Sequence, residues 1–422
     1  MTASVADVLD ELDALLAPTD AALARRYPGP VADRQPVHTV YVPADAVTAE
    51  TPARWGAAAL ALLDEHGDEH GDGLAGATGL DAGTVRDCLP RVRRVLASRP
   101  VDDLRIDCED GYGAHSDEEE DADASRAGAT LAGWRDGPGA PSVVGIRCRS
   151  LDPATRGRAV RTIDRVLSAA IAAGGLPRRF VVTLPKLRAV AQAEAMVALC
   201  GRLEERHALA PGTLRFELQI ETPQAILSSD GHVTVAPALH ASAGRCAGLH
   251  FGTYDYSAAC GITAAHQSLA HPAADFAKAL MQAAAADTGV VVSDGSTNVL
   301  PVGDRAAVLA AWGVHARLVT RSLERGFYQG WDLHPGQLVT RHLATIAFYR
   351  SAFPAAAARL SAYLRGANSR SAVLDEPATA RALAAVVVRG LDCGAIDDDE
   401  AADATALAAD GLRAVARTGR PA

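Results

Sequence analysis

Lysine is nearly absent from this sequence of 422 residues. Lys186 and Lys278 are the only two lysines, so that 39 of the 41 basic residues are arginine. The acidic residues outnumber the basic ones, and the formal net charge at pH 7 is −10. Because phosphate binding needs a basic face, this charge argues against nucleic acid as a partner.

Closely spaced cysteines and long apolar runs are also missing. The cysteines are odd in number and lack C-x-x-C spacing, which argues against a disulfide framework or a zinc site and favours reduced thiols in the cytoplasm. No apolar run approaches the roughly 20 residues of a membrane span, and the acidic N-terminus lacks the positive start of a secretory signal. We therefore expect a cytoplasmic protein with no membrane partner. The seven cysteines are Cys88, Cys108, Cys148, Cys200, Cys246, Cys260 and Cys393.

Apolar segments typical of strands alternate with helical patterns along most of the chain. Eight strand candidates occur: "VHTVYV", "DLRID", "SVVGIR", "RFVVTL", "LRFELQIE", "CAGLHF", "VVVSDG" and "FYQGWDLH". This alternation predicts an α/β fold, a (β/α)8 TIM barrel. The alternative, an open doubly wound sheet, usually carries a glycine-rich phosphate turn, and neither G-x-G-x-x-G nor G-x-x-x-x-G-K-[ST] is present.

The barrel accounts for only part of the chain. We predict an N-terminal helical extension over residues 1–36, a barrel over 37–350 and a C-terminal helical appendage over 351–422. A long insertion, residues 53–99, separates the first two strands of the barrel. The hydrophobic content of 49% is enough for a large core.

Charged or titratable side chains follow most of the predicted strands. Since the carboxyl ends of barrel strands surround one mouth, where active sites lie, these residues are the candidates for a functional site. They are Asp107, Glu109, Asp110, Arg147, Lys186, Glu221, Asp255, Asp294 and His334.

Glu221 and Asp255 each place a carboxylate in an apolar stretch, "FELQIETPQAI" and "LHFGTYDYSAACG". A buried carboxylate needs a cation or several donors. Two carboxylates from neighbouring strands, supplemented by water and substrate oxygens, suit Mg²⁺, with Mn²⁺ as the other possible ion. A buried ion pair with arginine is the alternative. Arg147 fits either an oxyanion partner or a structural salt bridge.

The other candidates at the strand ends also have two interpretations each. Glu109 and Asp110 either orient Arg147 and metal-bound water or cap a loop. Lys186 is either a substrate-binding residue, which includes the role of a Schiff-base lysine, or one end of a salt bridge across the mouth. Tyr254 either contacts substrate or forms part of the wall of the mouth. His334 either contacts substrate or packs at the end of a strand.

The order of these motifs resembles the HpcH/HpaI aldolase and citrate lyase β-subunit superfamily, which includes malyl-CoA lyase. "TVYVPAD", "IDCEDGYG", "GIRCRS", "LPKL", "QIETPQAI", "FGTYDYSAACG", "GWDLHPGQL" and "VLDEPATARAL" follow the family's order from about residue 37 to 383. The resemblance implies Glu221 and Asp255 as metal ligands and Arg147 as the catalytic arginine. It also implies Asp375 as the acid that handles the proton, supplied by a neighbouring subunit of a homo-oligomer.

The activity implied by the resemblance is that of a Mg²⁺-dependent carbon–carbon lyase or aldolase. It would act through a metal-stabilised enolate of a keto acid or an acyl thioester, so that an organic acid or acyl-CoA is the expected substrate. The sequence departs from the family pattern at two positions. After Arg147 it has Arg149 where the family has asparagine, and after Asp255 it has Tyr256, as in malate synthases, where the family usually has leucine. An acetyl-CoA condensing or hydrolysing enzyme similar to malate synthase, and a non-catalytic barrel that binds a keto acid, are the alternatives.

Overall fold

A computed structural model describes residues 4–31, 33–68, 71–135, 137, 139–366 and 376–420 of the chain. Eight parallel strands form one sheet in the order β7-β6-β5-β4-β3-β2-β1-β8. Two backbone hydrogen bonds join β7 to β8, from Asp294 N to Gln329 O at 2.8 Å and from Trp331 N to Gly295 O at 3.2 Å. These bonds close the sheet, and the predicted (β/α)8 barrel is confirmed. The strands are β1 (His38–Pro43), β2 (Asp103–Asp107), β3 (Val143–Arg147), β4 (Phe180–Leu184), β5 (Arg215–Ile220), β6 (Cys246–Phe251), β7 (Val291–Ser293) and β8 (Gly330–Asp332).

Helices surround the barrel and extend beyond it at both ends of the chain. Those up to the fifth strand are α1 (Val5–Arg26), α2 (Thr51–His66), α3 (Asp72–Thr78), α4 (Ala82–Ser98), α5 (Asp117–Gly133), α6 (Arg156–Ala172) and α7 (Val190–Arg206). The later ones are α8 (Pro223–Ile226), α9 (Val235–Ala241), α10 (Thr253–Ala259), α11 (Pro272–Ala285), α12 (Arg305–Glu324), α13 (Pro335–Leu364), α14 (Pro377–Asp392), α15 (Asp398–Thr405) and α16 (Ala409–Thr418). No helix in the described ranges combines the length and apolarity needed to cross a membrane.

The extension, the insertion and the appendage are all helical. α1 fills most of the predicted extension, and none of its residues is buried. The insertion forms most of α2 together with α3 and α4, and α2 and α4 pack against α13. The barrel does not end at residue 350, however, because α13 continues without a break from Pro335 to Leu364. Pro354 interrupts the hydrogen-bonding pattern in that helix but does not end it.

Alternating polar residues on β2 and β5 point into the barrel. Side chains of a strand alternate between its two faces, so that Asp103, Arg105 and Asp107 share the inner face of β2. Arg105 contacts Thr183 Oγ1 on β4 at 3.1 Å and pairs with Glu217 on β5, which confirms this direction. The barrel interior therefore holds charges as well as apolar side chains.

We call the buried group formed by Asp103, Arg105, Glu217 and His250 the interior cluster. The Arg105 guanidinium pairs with both Asp103 and Glu217, and His250 Nε2 lies 3.2 Å from Glu217 Oε1. Burial alone would raise the pKa of Glu217, but Arg105 and His250 overcome it and hold this pKa below its usual range. Each carboxylate of the cluster has a cationic partner, as buried charges require.

Candidate active site at the mouth of the barrel

Five consecutive strands bring their carboxyl ends together on one side of the mouth. Asp107 and Arg147 are the last residues of β2 and β3 and lie directly opposite each other in the sheet register. Lys186 follows β4, Glu221 follows β5, and Asp255 lies in the first turn of α10 after β6. We call the group of Asp107, Glu109, Asp110, Arg147, Lys186, Glu221 and Asp255 the mouth cluster.

Arg147 is held by two carboxylates at the base of the mouth. Its Nε and Nη2 donate to Asp107 at 2.7 and 2.6 Å, and its Nη1 lies 3.3 Å from Glu109 Oε2. The backbone amides of Glu109 and Gly111 also donate to Asp107 and fix its orientation. Arg147 therefore forms the salt bridge that the sequence left as one alternative, while its Nη1 remains directed towards the rest of the cluster.

The Lys186 ammonium group lies where the carboxylates converge. Its Nζ is 2.8 Å from Asp110 Oδ2, in contact with Asp255 Oδ2, and 3.8 Å from Glu221 Oε1. Glu109 Oε1 lies 3.7 Å away. Burial opposes the charged ammonium, but Glu221, Asp110, Asp255 and Glu109 together raise the pKa of Lys186 above its usual range.

The backbone of Lys186 has a left-handed φ of 55°. This conformation is uncommon for a residue other than glycine and tends to occur at functional sites. It directs the Lys186 amide at Glu221 Oε1, with an N···O distance of 2.8 Å. The same residue thus contacts Glu221 with its backbone and the other acids with its side chain.

Glu221 is almost completely buried, with 1% of its surface exposed. Gln219 donates to its other oxygen, Oε2. Burial raises the pKa of Glu221 to about 8, although Lys186 and Arg147 oppose the shift. Gly252 is required beside it, since a Cβ at this position would lie 2.6 Å from Glu221 Oε2 and closer still to its Cβ.

The charges of the mouth cluster do not balance. Among the described residues, the five carboxylates pair with Arg147 and Lys186 alone, which leaves three negative charges when all the acids are ionised. The Asp255 side chain is 48% exposed and that of Asp110 is 58% exposed, so solvent and small molecules reach the cluster. Its hard oxygen donors and negative charge fit a divalent cation such as Mg²⁺.

The arrangement is not a preformed metal cage. Within the described part of the chain, no three His, Cys, Asp or Glu side chains are grouped as metal ligands. Glu221 and Asp255 nevertheless face a common cation, the Lys186 ammonium. Mg²⁺ is usually held in proteins by one or two carboxylates with water and substrate, so two such oxygens suffice.

Three other sequence candidates lie outside the cluster. The Tyr254 hydroxyl accepts a hydrogen bond from Asn298 N at 2.6 Å, which ties α10 to the loop after β7. His334 Nδ1 accepts from Gly336 N at 3.1 Å and caps α13. Asp294 is buried and lies 3.0 Å from Lys278 Nζ, so that this carboxylate is part of the core. Asp375 lies outside the described residues.

Two residues that the sequence analysis did not single out border the cluster. Tyr41 is buried, its ring centre lies 4.8 Å from the Arg147 guanidinium carbon, and its hydroxyl has no hydrogen-bond partner among the described residues. Gln219 Oε1 is likewise buried and without such a partner. Strand alternation was the available signal, because Tyr41 shares a face of β1 with Thr39, and Gln219 one of β5 with Glu217 and Glu221.

A separate cavity of about 390 Å³ opens at the other end of the barrel. It lies beside the amino ends of β1, β7 and β8 and is closed by α14 and α16. Its lining includes Arg34, Gln35, Tyr328, Arg389 and Arg413. Barrel enzymes place their chemistry at the carboxyl ends of the strands, so we assign the candidate active site to the mouth cluster.

Comparison with solved structures finds malate synthases of Haloferax volcanii. The magnesium and glyoxylate complex is 17% identical, with 74% of this chain and 76% of that chain covered and a TM-score of 0.49. The pyruvate and acetyl-CoA ternary complex is 17% identical, with 73% and 69% covered and a TM-score of 0.46. Similarities at this level do not indicate a function.

Comparison with curated protein sequences gives no match. One family model matches residues 16–419, nearly the whole chain, and is described as "Domain of unknown function (DUF6986)". The match includes every strand of the barrel and every residue of the mouth cluster. The chain belongs to this family, DUF6986.

Proposed function

We propose that the protein is a Mg²⁺-dependent enzyme that forms or breaks a carbon–carbon bond next to a carbonyl group, as carbon–carbon lyases and aldolases do. One observation carries this proposal. Glu221 and Asp255, from adjacent strands, direct carboxylate oxygens at one cation beside Arg147, at the end of the barrel where barrel enzymes bind substrate. The substrate class is a small organic acid or its thioester.

Glu221 and Asp255 would hold the metal ion. When bound, the ion supplies positive charge that stabilises the enolate form of a keto acid or thioester. Gly252 leaves room for the Glu221 carboxylate, and the Lys186 amide and Gln219 orient its two oxygens. Groups that orient metal ligands in this way usually contribute to metal affinity.

Arg147 would bind a substrate oxygen through Nη1. Asp107 occupies Nε and Nη2, so that the guanidinium is fixed and its remaining edge faces Glu109 and the opening. A permanently charged donor in a fixed position suits an oxygen that becomes negative during the reaction. Glu109 borders both Arg147 and Lys186, and burial raises its pKa although these two cations oppose the shift.

Lys186 would act as a charged group and not as a nucleophile. A Schiff base needs a neutral amine, whereas the surrounding carboxylates stabilise the ammonium form. If Glu221 and Asp255 held a metal ion, the Lys186 ammonium would instead be able to pair with the substrate carboxylate. Borohydride should therefore trap no adduct of pyruvate on Lys186, and a trapped adduct would favour the Schiff-base alternative.

The test is turnover of purified protein with Mg²⁺ and a panel of organic acids and thioesters. The panel includes malate, malyl-CoA and pyruvate, and glyoxylate with acetyl-CoA for the condensing direction. We expect Glu221→Gln and Asp255→Asn to lower turnover by at least about 100-fold, the scale for a lost group that stabilises charge. Glu194→Gln, at an exposed position on α7, is the matched control and should leave turnover unchanged.

Two outcomes would contradict the proposal. The first is full turnover in the Glu221 or Asp255 variant, or in the presence of a chelator. The second is binding of Mg²⁺ and pyruvate without turnover on any member of the panel, which would favour a non-catalytic keto-acid-binding barrel. Product analysis separates the lyase direction from condensation of acetyl-CoA with glyoxylate.

A further inference from the structure

The first helix carries a continuous apolar face that no part of the described chain covers. α1 has 22 residues, and none of them is buried. Seven large apolar side chains on this helix are between 46% and 79% exposed. They are Val5, Val8, Leu9, Leu12, Leu15, Leu16 and Leu23.

These side chains form one stripe. Their spacing of three and four residues places them on a single face of a helix, and the length of 22 residues corresponds to about 33 Å. Most of the stability of a helix in a protein comes from packing of its apolar face. A contiguous exposed apolar surface on a soluble protein usually marks an interaction site.

We propose that α1 is a dimerisation surface, on which the α1 helix of a second copy of this chain packs in an antiparallel arrangement. The apolar stripe of each helix covers the stripe of the other. One two-fold axis relates the copies, so the contact closes on itself and leads to a dimer and not to a fibre.

The distribution of charge on α1 selects the antiparallel arrangement. The first half contains Asp7, Asp10, Glu11 and Asp13, and the end contains Arg25 and Arg26. Parallel helices would place the acidic halves side by side. Antiparallel helices place the arginine end of one helix beside the acidic half of the other, and the helix dipoles also favour this direction.

The same charges disfavour other partners. The acidic polar face repels anionic lipid headgroups and nucleic acid, although an amphipathic helix could otherwise bind either. A second α1 is complementary to this face because it brings both an apolar stripe and an arginine end. The chain itself therefore contains a suitable partner for α1.

The residues that follow α1 attach it at the amino end of the barrel. The ring centre of Tyr27, just after the helix, lies 5.5 Å from that of His240, and Gly29 N donates to Asp287 O at 2.9 Å. Asp287 precedes β7 and lies at the amino end of the barrel. The observations behind the dimer concern α1 alone, so this inference does not depend on the proposed function.

Light scattering coupled to gel filtration of the full chain tests the dimer. One chain has a mass of 43.7 kDa. We expect twice this mass for the natural sequence and the mass of one chain for the double variant Leu12→Asp/Leu16→Asp. Both positions are exposed on α1, outside the barrel, so the variant should retain the melting temperature of the barrel transition. Phe276→Asp, which changes an apolar residue that is 57% exposed on α11, is the matched control and should remain dimeric.

Charge reversal tests the direction of the helices. Arg25→Glu/Arg26→Glu should weaken self-association by at least about 10-fold, since it places acid beside acid. An equimolar mixture of this variant with Asp10→Arg/Glu11→Arg should restore the pairing as a mixed dimer, and combining all four changes in one chain should restore it as well. An unchanged dissociation constant in the first variant would overturn the antiparallel arrangement.

Three results would overturn the dimerisation surface itself. One is a natural chain that remains a monomer at the highest soluble concentration. Another is a dimer that persists in Leu12→Asp/Leu16→Asp. The third is a monomer whose α1 amides become protected from hydrogen exchange only on adding phosphatidylcholine vesicles, which would assign the apolar stripe to a lipid surface.

Discussion

The interior cluster and the mouth cluster contain the same kinds of side chain but differ in balance and access. In the interior cluster Arg105 bridges Asp103 and Glu217, and all of these groups are buried. In the mouth cluster five acids share two cations, and Asp110 and Asp255 are about half exposed. The two clusters lie in the same barrel, on inner faces or ends of the same strands.

This difference separates structural charge from functional charge. A buried cluster whose groups are all paired stabilises one arrangement and has no free site for a ligand. A cluster with surplus negative charge at an open mouth attracts a cation and its bound substrate. The four predictions that follow test this distinction, and the effects of the three substitutions on stability decrease from the first to the last.

The largest effect is expected from Arg105→Met. Removal of this cation leaves Asp103 and Glu217 buried without the arginine that they share, and such a loss typically costs about 3–5 kcal/mol. The free energy of unfolding, measured in urea, should fall by this amount, and Mg²⁺ should not restore it. If the variant does not fold, Arg105→Met/Glu217→Gln, which removes one acid together with the cation, should recover part of the stability.

Gly252→Ala should have a smaller effect on stability and a clear effect on metal binding. The new methyl group would overlap Glu221, and overpacking of this kind costs about 1–3 kcal/mol. Calorimetry should show weaker Mg²⁺ binding because the carboxylate is displaced. Gly157→Ala, where nothing lies within 4 Å of the added carbon, is the control and should leave both properties unchanged.

The pH dependence of stability should have opposite signs for Glu221 of the mouth cluster and Glu217 of the interior cluster. The pKa of Glu221 is raised from 4.5 to about 8, so the folded chain binds more protons than the unfolded chain between these values. In EDTA this carboxyl should lower stability as pH rises through that range, by at most about 1.4 kcal/mol per pH unit.

Glu217 has the opposite linkage. Its pKa is lowered by Arg105, so that its contribution is present above pH 4.5 and is lost as pH falls below it. The melting temperature between about pH 2 and pH 9 tests both statements. Glu221→Gln should abolish the fall in melting temperature at alkaline pH and leave the fall at acid pH unchanged. If the fall at alkaline pH persists in this variant, it does not come from Glu221.

Lys186→Met should have the smallest effect on stability. Its carboxylate partners Asp110 and Asp255 are partly exposed, and ion pairs of that kind contribute about 1 kcal/mol or less. In contrast to Arg105→Met, the loss should be reversed by Mg²⁺, because the ion replaces the missing cation. Thermal unfolding with and without Mg²⁺ measures the difference, and failure of rescue would make the two clusters equivalent.

Much of the fold followed from local patterns in the sequence. Alternation of apolar strands with helices predicted the barrel, and position at the strand ends singled out Glu221, Asp255, Arg147 and Lys186. The predicted end of the barrel at residue 350 lies inside α13, which runs from Pro335 to Leu364 and contains Pro354. The last helix of the barrel and the start of the appendage have the same helical pattern, so their periodicity contains no boundary.

The remaining features of the site depend on contacts between distant parts of the chain. Asp294 was grouped with the mouth, but Lys278 of α11 reaches it in the core, and no local pattern relates these two residues. The central place of Lys186 depends on its left-handed backbone, which its neighbours in sequence do not predict. The pairing of Arg105 with Glu217 joins β2 to β5 and requires the closed barrel.

Calorimetric titration of the purified chain with Mg²⁺, and with Mn²⁺ as a second probe, tests the central claim most directly. If Glu221 and Asp255 bind a divalent ion, the natural sequence should bind one ion per chain. Glu221→Gln and Asp255→Asn should lose this binding, while Glu194→Gln should retain it. Absence of binding by the natural sequence, or equal binding by all four proteins, would contradict the account.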